Sequence, residues 1–239
     1  MDELEIRRKV RAHYAGKSAS SCASSAGSCC GPDLISLDGA KPAGGRTIPS
    51  LGVGDPMEVL SPKADEVVLD LGSGPGRDVF HAAERVGPHG RAIGVDATPE
   101  MVFRARETAA SLGRTNVEFR LGEIEHLPVE SESVDAVASD CVVNLSPDKA
   151  QVFREAFRVL RPGGRIVVSD VVADRELPAE VRQDMERWAA CEAGAVTQAE
   201  YVSLMRAAGF ESVRAERKGA YRPGLSRATV LGVKPSHRG

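Results

Sequence analysis

A chain of 239 residues, 42% hydrophobic and 27% charged, is long enough to bury a sizeable core and too apolar to be wholly disordered. Its formal net charge of −3 gives no footprint for a nucleic-acid backbone, so nucleic acid is not an expected partner. The opening Met-Asp-Glu-Leu-Glu lacks the basic and apolar stretches of a signal peptide, and no apolar run is long enough to span a bilayer. The cytosol is the expected compartment, with no membrane partner. Five cysteines in a reducing compartment read as packing, metal-binding or reactive groups rather than a disulfide framework.

In chain order, Glu3 to Tyr14 carries Ile6, Val10 and Tyr14 at helical spacing, which predicts a short amphipathic helix. Residues 18 to 32 are small, polar and punctuated by Gly and Pro; they predict a loop, and an irregular arm continues to about Pro56. Val67-Val68-Leu69-Asp70-Leu71 reads as a buried strand feeding a Gly-rich turn. Arg77 to Arg85 reads as helix, and Arg91 to Val95 as a second strand ending at Asp96. Thr98-Pro99 opens a helix with an N-cap hydroxyl and a first-turn proline, closed by Gly113. Strands follow at Val117 to Arg120 and Val134 to Ala138, with Cys141 just past the latter. Ser146-Pro147-Asp148 starts a helix to Leu160, and Pro162-Gly163-Gly164 turns into a strand from Arg165 to Ser169.

Beyond Asp170 the spacing predicts a helix from Pro178 to Ala190, with Val181, Met185 and Trp188 on one side. Thr197 to Glu200 forms a capping box ahead of an apolar stripe of Tyr201, Leu204, Met205 and Ala208. Two last strands, about Ser212 to Glu216 and Ala228 to Val233, are placed to close the sheet as an antiparallel hairpin. Strands alternating with helices predict an α/β fold with a doubly wound, mostly parallel seven-stranded sheet. It would carry an irregular N-terminal arm and a small C-terminal helical elaboration. The expected division is an arm over residues 1–60, a cofactor-binding domain over 61–175, and a cap with the last strands over 176–239.

Asp70-Leu-Gly72-Ser73-Gly74-Pro-Gly76 sits at the first strand's carboxyl end, where open α/β sheets bind ligands. Asp96 closes the second strand, where a carboxylate can accept both hydroxyls of an adenosine ribose. Such a turn alone is equally a plain tight turn or a dinucleotide site. Asp70 ahead of the glycines suits a cationic ligand better than a pyrophosphate. Gly122-Glu-Ile124-Glu125 follows the third strand, and Leu160-Arg-Pro-Gly-Gly164 precedes the fifth. From about Glu66 to Asp170 these segments resemble the class I methyltransferases. The resemblance implies S-adenosylmethionine as cofactor, with Asp70, Gly72, Ser73, Gly74, Gly76, Asp96, Ala97, Ile124, Glu125 and Asp140 around it.

Read alone, each cysteine has a plain packing role open to it. Cys22, Cys29 and Cys30 with His13 fit no common zinc spacing. However, Gly122-Glu-Ile-Glu-His-Leu-Pro128, Asp140-Cys141-Val-Val-Asn-Leu-Ser-Pro-Asp-Lys149 and Cys191-Glu-Ala-Gly-Ala195 resemble the arsenite methyltransferases. So do Gly94-Val-Asp-Ala-Thr-Pro-Glu-Met101 and the Ser28-Cys29-Cys30-Gly31 arm. The resemblance implies that Cys141 and Cys191, with Cys29 or Cys30, hold trivalent arsenic, a soft and thiophilic centre. Arsenite or methylarsenite would be the substrate, thioredoxin or glutathione the reductant, and the chain a monomer. Two departures stand out: Gly52-Val53-Gly54 where many members carry a cysteine between the glycines, and Val79 where another cysteine is usual. Two other functions remain open at the level of sequence. One is methylation of a small organic substrate with the cysteines incidental; the other is a non-catalytic thiol-based metalloid binder.

Overall fold

The computed structural model describes residues 2–19, 34–36, 47–49 and 52–236. Cys22, Cys29 and Cys30 lie outside these residues. In chain order the elements are α1 (Glu3–Ala19), β1 (Leu34–Ser36), β2 (Thr47–Pro49), α2 (Pro56–Leu60), β3 (Val67–Leu71), α3 (Arg77–Val86), β4 (Arg91–Asp96) and α4 (Pro99–Ser111). They continue with β5 (Val117–Leu121), β6 (Val134–Asp140), a 3-10 turn (Val143–Leu145), α5 (Lys149–Val159) and β7 (Leu160–Ala173). The last are α6 (Ala179–Arg182), α7 (Met185–Ala189), α8 (Gln198–Ala207), β8 (Glu211–Arg222) and β9 (Leu225–Val233).

Seven of the described strands form one sheet in the order β5-β4-β3-β6-β7-β9-β8. The first five pair in parallel, and β9 and β8 close the sheet antiparallel. This is the doubly wound α/β sheet expected from the sequence. Alternation along each strand divides the core in two. Leu69 and Leu71 of β3, Ile93 and Val95 of β4 and Val137 of β6 pack in the core that also holds Phe153 of α5 and Tyr201 and Met205 of α8. Val68, Ala92, Ala136 and Ala138 face the opposite core with Met57, Val79, Phe80 and Val102. Each fully buried Leu or Ile contributes about 1.5–3 kcal/mol relative to its exposed state.

Several local expectations need correction. The arm is not wholly irregular: β1 and β2 pair antiparallel, and Ile48 is buried in the core. Runs of three residues are too short for periodicity to register. The helix expected over Pro178 to Ala190 is broken into α6 and α7, because the Asp184 carboxylate accepts the Glu186 and Arg187 N–H groups and starts a new helix. Thr98 stands at the N-cap of α4, but its hydroxyl makes no capping bond. Within the Ser146-Pro147-Asp148 start, Asp148 caps α5 by accepting the Gln151 N–H. β7 and β8 run well beyond their expected ends, and their carboxyl-terminal extensions, to Ala173 and Arg222, pair with β9.

Gly76 is the N-cap of α3 with φ +96°, and a Cβ there would lie 2.6 Å from Phe119 Cζ and 3.0 Å from Phe80 Cε2. Left-handed backbone costs a side-chain-bearing residue about 1–2 kcal/mol, and overpacking adds about 1–3. Gly76→Ala should therefore lower the urea unfolding free energy by about 2–4 kcal/mol with an unchanged m-value. A shift below about 0.5 kcal/mol would show that the Phe80–Phe119 packing relaxes freely.

Candidate active site

The strand order reverses between β3 and β6, which are direct neighbours. Leu71 pairs with Ser139, so the Gly72–Gly76 loop and the Asp140-Cys141 corner leave the sheet side by side. A cavity of about 1030 Å³, including its open mouth, lies over these ends. Asp70, Gly72, Ser73, Gly74, Asp96, Ala97, Ile124, Glu125 and Asp140 all lie in its wall, and so does Cys141. Gly76 does not; it faces the Phe80–Phe119 packing, where a glycine lets helix and strand approach.

Each acidic group in the wall has a defined environment. Asp96 Oδ2 accepts the Gly74 N–H at 2.8 Å and Oδ1 accepts the Thr98 N–H at 2.8 Å, so this carboxylate ties the Gly-rich loop to the turn after β4. Burial pushes its pKa up, against the pull of those hydrogen bonds. The Thr98 side chain also hydrogen-bonds to it, and the carboxylate keeps lone-pair capacity for a ligand hydroxyl. Asp140 Oδ1 accepts the N–H groups of Val53 at 2.9 Å and Gly54 at 3.2 Å. A Cβ at Gly52 would run into the Asp140 carboxylate, so a side chain there would have to push that carboxylate aside. Burial, with Asp78 adding to it, pushes Asp140 well above the ordinary carboxylate range. Burial does the same to Asp70, reinforced by Asp78, Asp140 and Asp96 and opposed by Arg77. Glu125 is already engaged: Ser146 Oγ donates to it at 2.6 Å and Arg7 Nη1 lies 2.9 Å away.

The chemistry of this donor set fits S-adenosylmethionine. Asp70, Asp78, Asp96 and Asp140 converge around one cavity, and a ligand bearing a sulfonium and an ammonium relieves their mutual repulsion. Arg77, buried in the same wall, holds Asp78 at 3.3 Å through Nη1, while its Nε has no hydrogen-bond partner. It is a match for the ligand's carboxylate. Sequence reasoning passed over Arg77 and Asp78, although an arginine in the first turn of a helix opposes the helix dipole and so marks an unusual position. Helix α1 is more than the amphipathic helix its spacing predicts. In fact Arg7, Val10, Arg11 and Tyr14 form part of the cavity wall, with Arg7 and Arg11 both paired to Glu123.

Cys141 and Cys191 are both buried free thiols and share one apolar cluster. Cys191 Sγ donates to the Cys141 carbonyl at 3.0 Å. The adjacent Cys191 thiol and burial push the Cys141 thiol well above its ordinary pKa, so it stays protonated at neutral pH. Both cysteines have left-handed backbone, at φ 57° and 62°. Such conformations cost about 1–3 kcal/mol each and cluster at functional sites. Asn144 fixes the two corners: its Nδ2 donates to Asp170 Oδ1 at 2.8 Å, to Val171 O at 2.6 Å and to Cys191 O at 3.4 Å. Val53 packs against this cluster, whereas Val79 lies in the core on the other side of the sheet. Among the described residues no three His, Cys, Asp or Glu side chains form a metal-binding group. No described helix is long and apolar enough to cross a membrane.

A doubly wound sheet with the Gly-rich loop, the β4 carboxylate and an acidic cavity at the switch in strand order defines a class I methyltransferase fold. The family model described as a methyltransferase domain matches residues 62–209. Arsenite methyltransferase from Halobacterium salinarum is 45% identical over 231 residues, which is 89% of this chain and 59% of that protein. Arsenite methyltransferase from Homo sapiens is 40% identical over 152 residues, 60% of this chain and 40% of that protein. The crystal structure of an arsenic(III) S-adenosylmethionine methyltransferase from Chlamydomonas reinhardtii superposes with a TM-score of 0.67 at 36% identity, covering 79% of this chain and 68% of that one. The chain thus belongs to the methyltransferase-domain family, within its arsenite methyltransferase branch. It spans between two fifths and three fifths of the length of these two curated relatives.

Loss of hydrogen bonds to a charged acceptor costs about 1.5–3 kcal/mol. Asp96→Ala should accordingly weaken S-adenosylmethionine binding at least tenfold in calorimetry, with a cooperative melt retained. Unchanged affinity would remove Asp96 from the site.

Proposed function

We propose that the protein is an S-adenosylmethionine-dependent arsenic(III) methyltransferase that acts on arsenite or methylarsenite bound through Cys141 and Cys191, and so detoxifies arsenic. The observation that carries this reading is the meeting of two buried free thiol residues, Cys191 Sγ on the Cys141 carbonyl, beside a cavity suited to a cationic cofactor, with Cys141 in its wall. The similarity to arsenite methyltransferases over 89% of the chain supports it.

The thiols act first. Each gives its proton to an arsenic-bound hydroxyl, which leaves as water while a sulfur–arsenic bond forms. The cofactor, when bound, supplies an electrophilic methyl group on a sulfonium. Cys141 lies in the wall of the cofactor cavity and holds the arsenic lone pair toward it. No general base is needed, because arsenic itself is the nucleophile. Orientation can then supply about 7–11 kcal/mol of the barrier reduction. The new arsenic–carbon bond leaves arsenic formally oxidised by two electrons. A pair of thiols returns them as a disulfide, which thioredoxin or glutathione re-reduces. Cys29 and Cys30 are candidate third thiols on family resemblance alone.

Incubation of the pure protein with arsenite, labelled S-adenosylmethionine and a dithiol, followed by arsenic speciation, should yield labelled methylated arsenic. Cys141→Ser and Cys191→Ser should each abolish methylation of both arsenite and methylarsenite while cofactor affinity survives. Normal methylarsenite turnover by Cys191→Ser would reject the two-thiol assignment.

A further inference from the structure

Two thiols satisfy two of the three valences of trivalent arsenic, and the third is where the two candidate substrates differ. The inference drawn from this rests on the proposed function. After both exchanges arsenite keeps one hydroxyl, methylarsenite has a methyl group in its place, and arsenic is still trivalent. The surroundings of the thiol pair are apolar: Leu145, Val53 and Val10 pack there. A hydroxyl stranded among such groups is costly without a hydrogen-bond partner.

Helix α1 brings one. The Tyr14 hydroxyl lies 3.8 Å from Cys191 Sγ, and Tyr14 shares the cavity wall with Cys141. The ring is held in place. Lys17 Nζ sits 5.0 Å from its centroid, and the His13 ring meets it edge-on at 5.3 Å. Two turns earlier α1 is fastened to the same cavity by Arg7 on Glu125. We propose that Tyr14 is a specificity-determining residue, its hydroxyl hydrogen-bonding the hydroxyl that arsenite retains after binding both thiols. Val53, at the position where a thiol is usual in the family, cannot displace that hydroxyl. Tyr14 therefore favours arsenite over methylarsenite.

The test compares wild type, Tyr14→Phe and a Cys29→Ser/Cys30→Ser double variant. Arsenite and methylarsenite binding are measured without cofactor, by equilibrium dialysis with arsenic mass spectrometry, and methylation rates follow. Tyr14→Phe should lower the arsenite-to-methylarsenite ratio of affinities and of kcat/KM by roughly three- to tenfold, the range for one neutral hydrogen bond. An unchanged ratio overturns the proposal, whether both substrates weaken equally or neither does. So does selective loss of arsenite binding in the double variant with Tyr14→Phe silent, since the arm would then fill the third valence. Failure of the wild-type protein to bind either arsenical would instead overturn the proposed function itself.

Discussion

The parallel pairing of β3 with β6 is the constraint on which the site depends. It brings the Gly-rich loop after Leu71 and the corner after Ser139 to adjacent positions at one edge of the sheet. Asp70 is next to last in one strand and Asp140 ends the other, and the loop around Gly52–Gly54 folds down onto Asp140 through two N–H bonds. Cys141 follows Asp140 in a left-handed corner, where its own N–H is held by Ser169 O at 2.8 Å. A site built on strand ends in this way is more rigid than one built on loops, and rigidity is what an orientation-driven reaction requires.

The electrostatics of that edge are unfavourable on their own. Burial raises the carboxyls of Asp70, Asp78, Asp96 and Asp140, and Arg77 is the buried counter-charge for Asp70 and Asp78. A cationic ligand that binds only the folded state therefore stabilises the fold by mass action as well as filling the cavity. The N-terminal helix supplies the other positive charges, but it spends them elsewhere. Arg7 and Arg11 meet Glu123 and Glu125, beyond β5, and hold α1 in the cavity wall. The acidic floor is thereby left for the ligand, and the acidic rim serves to fix the helix.

Much of this was legible in the sequence because it is written in local spacing. The apolar run Val67–Leu71 followed by glycines, the carboxylate closing β4 and the cysteine past β6 each lie within a few residues of the feature that identifies them. What escaped notice depends on distant partners. Helix α1 was visible as a helix, yet nothing in it announces that Arg7 will meet Glu125, 118 positions away in sequence, or that Tyr14 will meet Cys191. The break between α6 and α7 was locally available, since Asp184 is a good N-cap, but the apolar spacing of Val181, Met185 and Trp188 spoke more loudly. The carboxyl ends of β7 and β8 are reached by pairing with β9, which no property of their own residues announces.

The state of the thiols bears on which soft centre suits them. A divalent metal requires thiolates and releases their protons on binding. Here the neighbouring Cys191 thiol and burial, with Asp170 and Asp140 behind them, hold Cys141 in its protonated form. Asp170 is itself lifted to about 6 by burial, so near neutral pH it is largely an anion hydrogen-bonded to Tyr201 and Asn144. An anion behind the thiols raises the cost of making a second charge beside it. A trivalent centre carrying hydroxyls avoids that cost, because each thiol proton leaves within a water molecule and no net charge is created. The burial that disfavours a thiolate therefore leaves this exchange open. The proposed substrate fits the pair through its neutrality as much as through its affinity for sulfur.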